Sequence, residues 1–275
     1  MKYVKKILLG ITTICILMTA YIKPVSADSS WTAIDWANVR RNASLLSEGN
    51  EMSFTIVGSL IARRDEGPIV IKEDNCTLKF ESYNSEKSVI MSDGYGFPLI
   101  IVEGDNVNIV FENVGVNGFR LDGDGGAIYV DGEHCTIQGG HFTGCYADTD
   151  GGAICLNEDY GVVKDCTFTS CDAGDDGGAI YVCAGADECI VKNCSFERCS
   201  CEERGNAVCG DNDTRVINCI SNTENSYKLC KVENSTGSIM SQGNIIIITS
   251  ILVVAIIVVV ILVIRKRKHN KITSK

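Results

Sequence analysis

Apolar residues in this chain come in short runs fenced by Gly, Asn and Asp. They do not form the long one-sided stripes that mark helices. The runs lie at 54–57, 69–71, 78–80, 99–102 and 107–111, and each is short enough to predict a single strand. From position 124 onward the pattern becomes a refrain. Asp-Gly-Gly-Ala-Ile-Tyr-Val occupies 124–130, Asp-Gly-Gly-Ala-Ile-Cys-Leu 150–156 and Asp-Gly-Gly-Ala-Ile-Tyr-Val 176–182, each 26 residues after the last. A degenerate fourth copy, Gly-Asn-Ala-Val-Cys, follows at 205–209. Runs beginning at Ile69, Leu99, Ala127, Ala153, Ala179 and Ala207 are spaced 30, 28, 26, 26 and 28, so the repeat extends upstream of its clear copies.

A fixed period in this range means stacked units that cannot bury their apolar faces alone. Each unit holds about three short strands and no segment long enough for a crossover helix. The expected fold is therefore all-β, a right-handed parallel β-helix with coils stacked at about 4.8 Å. Residues two apart share a face. Ile128, Ile154, Ile180 and Val208 are thus expected in one inward column, with Val130, Leu156 and Val182 in another and Phe142, Phe168 and Phe196 in a third. Upstream, 31–46 carries apolar residues at helical spacing and is expected to form a helix capping the exposed strand edges.

The two ends add an address. A basic start, an apolar stretch at 7–20 and Val25-Ser26-Ala27 predict a signal peptide over 1–27. Residues 245–264 are uncharged and rich in Ile and Val, long enough to cross a bilayer as one helix. The basic tail at 265–275 is expected to stay cytoplasmic, which puts the rest outside the plasma membrane. The expected organisation is a β-helix ectodomain over 28–221, an Asn/Ser/Thr-rich last partial coil and stalk over 222–244, the anchor, and the tail. All 35 acidic residues lie in the exported part, against 15 basic ones once four leader lysines and six tail residues are set aside. A net charge near −20 repels nucleic acid and leaves cations, neutral glycans or basic protein patches as partners.

Gly-Gly-Ala-Ile with Phe a fixed distance downstream resembles the repeat of chlamydial polymorphic outer-membrane proteins. It is also similar to adhesin-like surface proteins of pectin-lyase-like fold. The resemblance covers roughly 67–220 and implies a β-helix displayed at the cell surface. Where the chlamydial repeat reads Phe-x-x-Asn, Phe142, Phe168 and Phe196 are followed at the same distance by Cys145, Cys171 and Cys199. Relatives that end in an autotransporter barrel differ from this chain, which ends in one apolar segment.

Three sets of side chains are candidates for chemistry. Fourteen cysteines lie beyond the leader, an even number that suits disulfides in an exported domain. Cys145, Cys171 and Cys199 share one repeat position, and Cys166, Cys194 and Cys219 share another. Stacked in register, their Cα atoms fall within disulfide range, but their parallel Cβ vectors oppose bonding. Both stapled and reduced ladders stay open on this reasoning. Asp124, Asp150 and Asp176, with Asp122 and Asp148 two residues earlier, form an acidic ladder that Ca2+ could bridge; the alternative is that Asp simply suits the turn before Gly. Tyr129 and Tyr181 flank Cys155 on the face opposite the Ile column, and beside the carboxylates they form a candidate ligand-binding strip.

The expected function is a membrane-anchored, adhesin-like protein binding an extracellular glycan or protein along its β-helix face. The alternatives are an anchored polysaccharide lyase or glycoside hydrolase and a passive surface protein. Asp175-Asp176 resembles the paired aspartates of polygalacturonases, but their Gly-His-Gly and Arg-Ile-Lys motifs are absent. Aspartates repeated on every coil also do not make the opposed acid pair that hydrolysis needs. No catalytic residue is therefore assigned.

Overall fold

The computed structural model describes residues 28–33, 35–83, 87–94 and 96–236. The expected leader at 1–27, the stalk beyond 236, the anchor at 245–264 and the tail at 265–275 lie outside the described residues. Among the described residues no helix is long and apolar enough to cross a membrane.

The fold is an all-β parallel solenoid. Every coil contributes one strand to each of three long sheets, and two of those sheets have seven strands, one per turn. The first long sheet has nine, because Asp28–Ala33 precedes the first coil and Lys231–Glu233 follows the last. Four middle coils add a short fourth strand, in a small sheet from Arg120–Leu121 to Ser200–Cys201. In a middle coil the chain runs Thr136–Gln138, His141–Thr143, Tyr146–Ala147 and Ile154–Leu156, then starts again at Val162–Lys164.

Corners make the coil possible. In the second long sheet's exit corner, Ser170 and Arg198 adopt φ values of 53° and 54°; at the first sheet's exit, Asp165, Asn193 and Asn218 do the same at 54–56°. Short polar side chains tolerate the left-handed region best, which explains the Asn and Asp fences seen in sequence. The Gly-Gly refrain has a stricter cause. Gly151 has φ 67°, and a Cβ there would lie 2.4 Å from the carbonyl oxygen of Ile154. A Cβ on Gly152 would lie 2.2 Å from the oxygen of Gly178 and 2.4 Å from that of Asp172. Both obstacles are backbone, so nothing larger than hydrogen fits and the repeated motif is a device for turning the chain.

The core is a stack of columns in register. Ile69, Ile100, Ile128, Ile154, Ile180 and Val208 align across successive rungs of the third long sheet. Through them runs a continuous aromatic spine. Phe54, Phe80 and Phe111 stack on the first long sheet, with centroids 5.9 and 5.4 Å apart. The spine then crosses edge-on to Phe142 on the second sheet, at 5.8 Å. Phe142, Phe168 and Phe196 stack at 5.1 Å, and Tyr227 closes the series edge-on at 6.3 Å. The expected Phe column is thus the lower half of a seven-ring series. Its upper half begins on a different sheet.

One sequence expectation needs correction. Residues 31–33 are not helical. Trp31 pairs with Phe54 in a strand, and the helix is confined to Trp36–Ala43. Asp35 caps it, its carboxylate accepting from the backbone N–H of Asn38, and so sets its start. The helix does cover the first coil: Trp36, Val39 and Ala43 are buried, and the Trp36 indole donates to the carbonyl of Gly67. The coils number seven. Within 222–244, Tyr227–Lys228 and Lys231–Glu233 join two of the long sheets. Tyr227 is buried there, its hydroxyl donating to the carbonyl of Thr236.

Candidate functional site

The third long sheet turns its Ile and Val columns inward, so the residue between them on each rung faces out. On the middle rungs this outward column reads Tyr129, Cys155, Tyr181 and Cys209 in register. The Asp-Gly-Gly turn enters each rung beside it, which places the aspartates along the strip's border. The structure therefore brings Tyr129 and Tyr181 together with Asp124, Asp150 and Asp176. Asp122 and Asp148 are exposed and belong to the loop before the turn.

The tyrosines stand two rungs apart, roughly 10 Å at about 4.8 Å per rung. Cys155 lies fully buried between them and forms the floor of the notch. Both rings are half-buried, and among the described residues neither phenol oxygen has a hydrogen-bond partner. Burial first, then the nearby Cys155 thiol and Asp131, push the Tyr129 phenol up to about 12. Burial and the carboxylate of Asp150 push Tyr181 higher still. Both phenols are neutral donors across the physiological range.

The aspartates are tied to the coil above. Asp124 Oδ1 accepts from the Thr149 hydroxyl and the Asp150 backbone N–H, and Asp150 Oδ1 accepts from the Asp176 N–H at 2.9 Å. On the next rung the column changes sign. Arg204 occupies the aspartate position and grips Asp176 with both Nε and Nη2. Asp176 is only 3% exposed, so this buried carboxylate has its countercharge within the chain. Burial and the charges of Asp124, Asp176 and Asp175 raise the Asp150 carboxyl, partly offset by the Asp176 N–H.

The expected cation site over Asp122, Asp124, Asp148, Asp150 and Asp176 is not assembled. Among the described residues, no three His, Cys, Asp or Glu side chains converge to hold a metal ion. Asp124 and Asp150 each accept from a backbone N–H of the next rung, and Asp176 is paired with Arg204. The same clamp occupies Asp176 of the Asp175-Asp176 pair, while Asp175 is exposed.

The cysteine ladders stack in register, and the fourteen cysteines among the described residues are free thiols. Cys145, Cys171 and Cys199 sit on adjacent rungs, as do Cys166, Cys194 and Cys219. Their sulfurs turn to backbone carbonyls two residues back and one rung below, for example Cys171 Sγ to Thr169 and Phe142. Neighbouring thiols and burial hold Cys171, Cys194, Cys199 and Cys219 far above the usual thiol range. They behave as small packing residues.

A third cysteine column, Cys76, Cys135, Cys189 and Cys230, was hidden in the sequence because it skips rungs. Val107, Gly161 and Thr214 occupy the rungs between. Its signal is that each member immediately precedes a strand of the first long sheet. Nor did sequence reasoning find the shallow cavity of about 520 Å3 beside the N-terminal helix, lined by Asp35, Trp36, Arg41, Leu60 and Arg63. It lies at the first coil, away from the tyrosine strip. The two histidines of the repeat are structural. His134 stacks on Tyr160 at 4.4 Å, and His141 Nδ1 lies 2.7 Å from the Thr167 hydroxyl. Comparisons with family models, with curated proteins and with solved structures return no match.

Proposed function

We propose that this protein is a membrane-anchored, adhesin-like surface protein that binds an extracellular ligand along the Tyr129–Tyr181 strip of a right-handed β-helix. The observation that carries this reading is the notch itself. Two neutral phenols with unpartnered hydroxyls stand two rungs apart, over a row of carboxylates, on a rigid face. Tyrosine in this setting offers an apolar ring and a donor at its tip, and Asp124 and Asp150 offer acceptors alongside. That combination suits the mixed polar and C–H faces of a neutral sugar, so a glycan is the favoured ligand. Extended repeat surfaces bind with such rows of side chains. The leader at 1–27 supports export and the apolar 245–264 with its basic flank supports single-pass anchoring. Likeness of the refrain to the chlamydial polymorphic repeat supports display at the cell surface.

The test is a broad glycan array probed with the full chain in detergent micelles, reading both retention and released sugar. Retention without product is expected, and a Tyr129→Ala, Tyr181→Ala double variant should bind at least roughly tenfold more weakly. Released oligosaccharide would replace this reading with an anchored polysaccharide-degrading enzyme. Undiminished binding by the double variant would remove the strip from it.

A further inference from the structure

Ten of the fourteen cysteines among the described residues belong to the three ladder columns, where in-register side chains run parallel instead of converging. In the two unbroken columns, in-register Cβ vectors run parallel at the rung spacing, about 4.8 Å against the roughly 3.8 Å that a disulfide prefers. In the third, every pair is separated by an intervening rung. Of the four others, Cys201 donates to Asn206 Oδ1. Cys209 is buried in the outward column.

Cys155 and Cys183 are different. Cys155 pairs in register with Tyr181, so Cys183, two residues further along that rung, lies diagonally across on the same outer face. A diagonal placement lets the two side chains point toward each other. Their sulfurs are 3.7 Å apart and hydrogen bond to each other, and among the described residues no backbone carbonyl engages either. Cys155 is fully buried, whereas Cys183 is partly exposed. The pair therefore has one sulfur that a reagent can reach and one that only its neighbour can.

We propose that Cys155 and Cys183 form a thiol–disulfide couple on the outer face of the solenoid, oxidised by small-molecule disulfides. The Cys183 thiolate attacks one sulfur of the disulfide and forms a mixed disulfide, releasing one equivalent of small thiolate. The Cys155 sulfur then attacks Cys183. The mixed bond breaks, and the second small thiolate takes up the Cys155 proton and leaves as the thiol. One disulfide is reduced to two thiols while the protein's two thiols become one inter-coil bond. The roles follow from access and from the hydrogen bond. Donation from Cys155 lowers the Cys183 thiol below its ordinary value and raises Cys155, so Cys183 is the nucleophile. The sulfurs must close by under about 2 Å to reach bonding distance.

The experiment incubates the full chain in detergent with glutathione disulfide, blocks free thiols with an alkylating reagent under denaturing conditions, and maps peptides by mass spectrometry. The expected product links the peptides carrying Cys155 and Cys183 and leaves the ten ladder cysteines alkylated. Cys155→Ser should instead accumulate a stable glutathione adduct on Cys183, and Cys183→Ser should accumulate none on Cys155. Linkage through ladder cysteines, absence of any linkage, or equal adduct formation in the two variants would overturn the proposal. Far-ultraviolet circular dichroism checks that each variant folds. Should the buried Cys155→Ser not fold, the wild-type linkage map decides alone.

Discussion

The aromatic spine makes a quantitative claim about stability. Phe168 sits at its most regular point, 1% exposed, with Phe142 and Phe196 stacked on either side at 5.1 Å. Truncation to alanine removes the transfer free energy of a buried ring and leaves a cavity between two rungs whose backbones are hydrogen bonded and cannot collapse. Buried Phe→Ala changes cost about 3–5 kcal/mol. Two ring–ring contacts add about 0.5–1.5 kcal/mol each beyond area. Because these overlap in part, Phe168→Ala should lose about 5 kcal/mol. Phe168→Leu keeps most of the apolar volume and forfeits mainly the stacking, so it should lose about 2 kcal/mol. Phe54→Ala removes an end ring with one stacked neighbour at 5.9 Å and should fall between them, at about 3–4 kcal/mol. Urea denaturation of the full chain in detergent, followed by far-ultraviolet circular dichroism, reads all three. Unchanged slopes with shifted midpoints would mark a change in stability alone. A loss under about 2 kcal/mol for Phe168→Ala, or an order that puts Phe54 first, would refute the idea that the spine is a cooperative series centred on the repeat.

Other consequences can be measured separately. Gly152→Ala forces a Cβ against two carbonyl oxygens at 2.2 and 2.4 Å and should yield no protease-resistant ectodomain, whereas Gly144→Ala, with nothing within 4 Å of its Cβ, should cost only about 1 kcal/mol. Arg204→Ala strands a buried carboxylate and should cost about 2 kcal/mol, less than a fully buried pair because the arginine is half-exposed; a double change with Asp176→Asn should cost less than the two singles summed, and strict additivity would dismiss the clamp. Addition of a chelator should leave the melting temperature unchanged, since among the described residues no three acidic, His or Cys side chains converge on a metal position; a fall of several degrees would restore the cation. The raised Asp150 carboxyl penalises the folded state when ionised, a penalty present above the folded pKa and relieved as pH falls through it. Asp150→Asn should therefore raise the unfolding free energy read by urea denaturation at pH 7.5, by less than about 1 kcal/mol after solvent screening, and the gain should vanish near pH 4.

Much of the architecture was legible in the linear pattern because a solenoid is nearly one-dimensional. Each coil touches only its neighbours, so the 26-residue refrain, the Ile128–Ile154–Ile180 column and the Cys145 and Cys166 ladders could be read by counting. The outward placement of Tyr129 and Tyr181 followed from the two-residue alternation of a strand. What counting within one column could not show was how columns hand over to one another. The spine passes from Phe111 to Phe142 across two sheets, and a Cβ at Gly140 would meet the Phe142 ring at 2.5 Å, so the Cys166 column has a glycine on that rung. The helix at Trp36–Ala43 gave up 31–33 to a strand because the exposed edge of the first coil offers Trp31 a backbone partner, which local propensity cannot register.

Tertiary structure also decided the meaning of the candidate site. Sequence placed five aspartates in a ladder and asked what would hold their charge. For Asp176 the answer lay on the next rung, at a position where the refrain had already decayed, and it was Arg204; Asp124 and Asp150 instead accept from backbone N–H groups of the coil above. Likewise the ladder cysteines look like disulfide partners in sequence, yet their side chains run parallel. Cys155 and Cys183, whose sulfurs face each other diagonally at 3.7 Å, occupy no common repeat position. Periodicity records which residues share a column. Distances between side chains in different columns depend on the register and the corners of the folded coil, and these exist only once the coils are stacked.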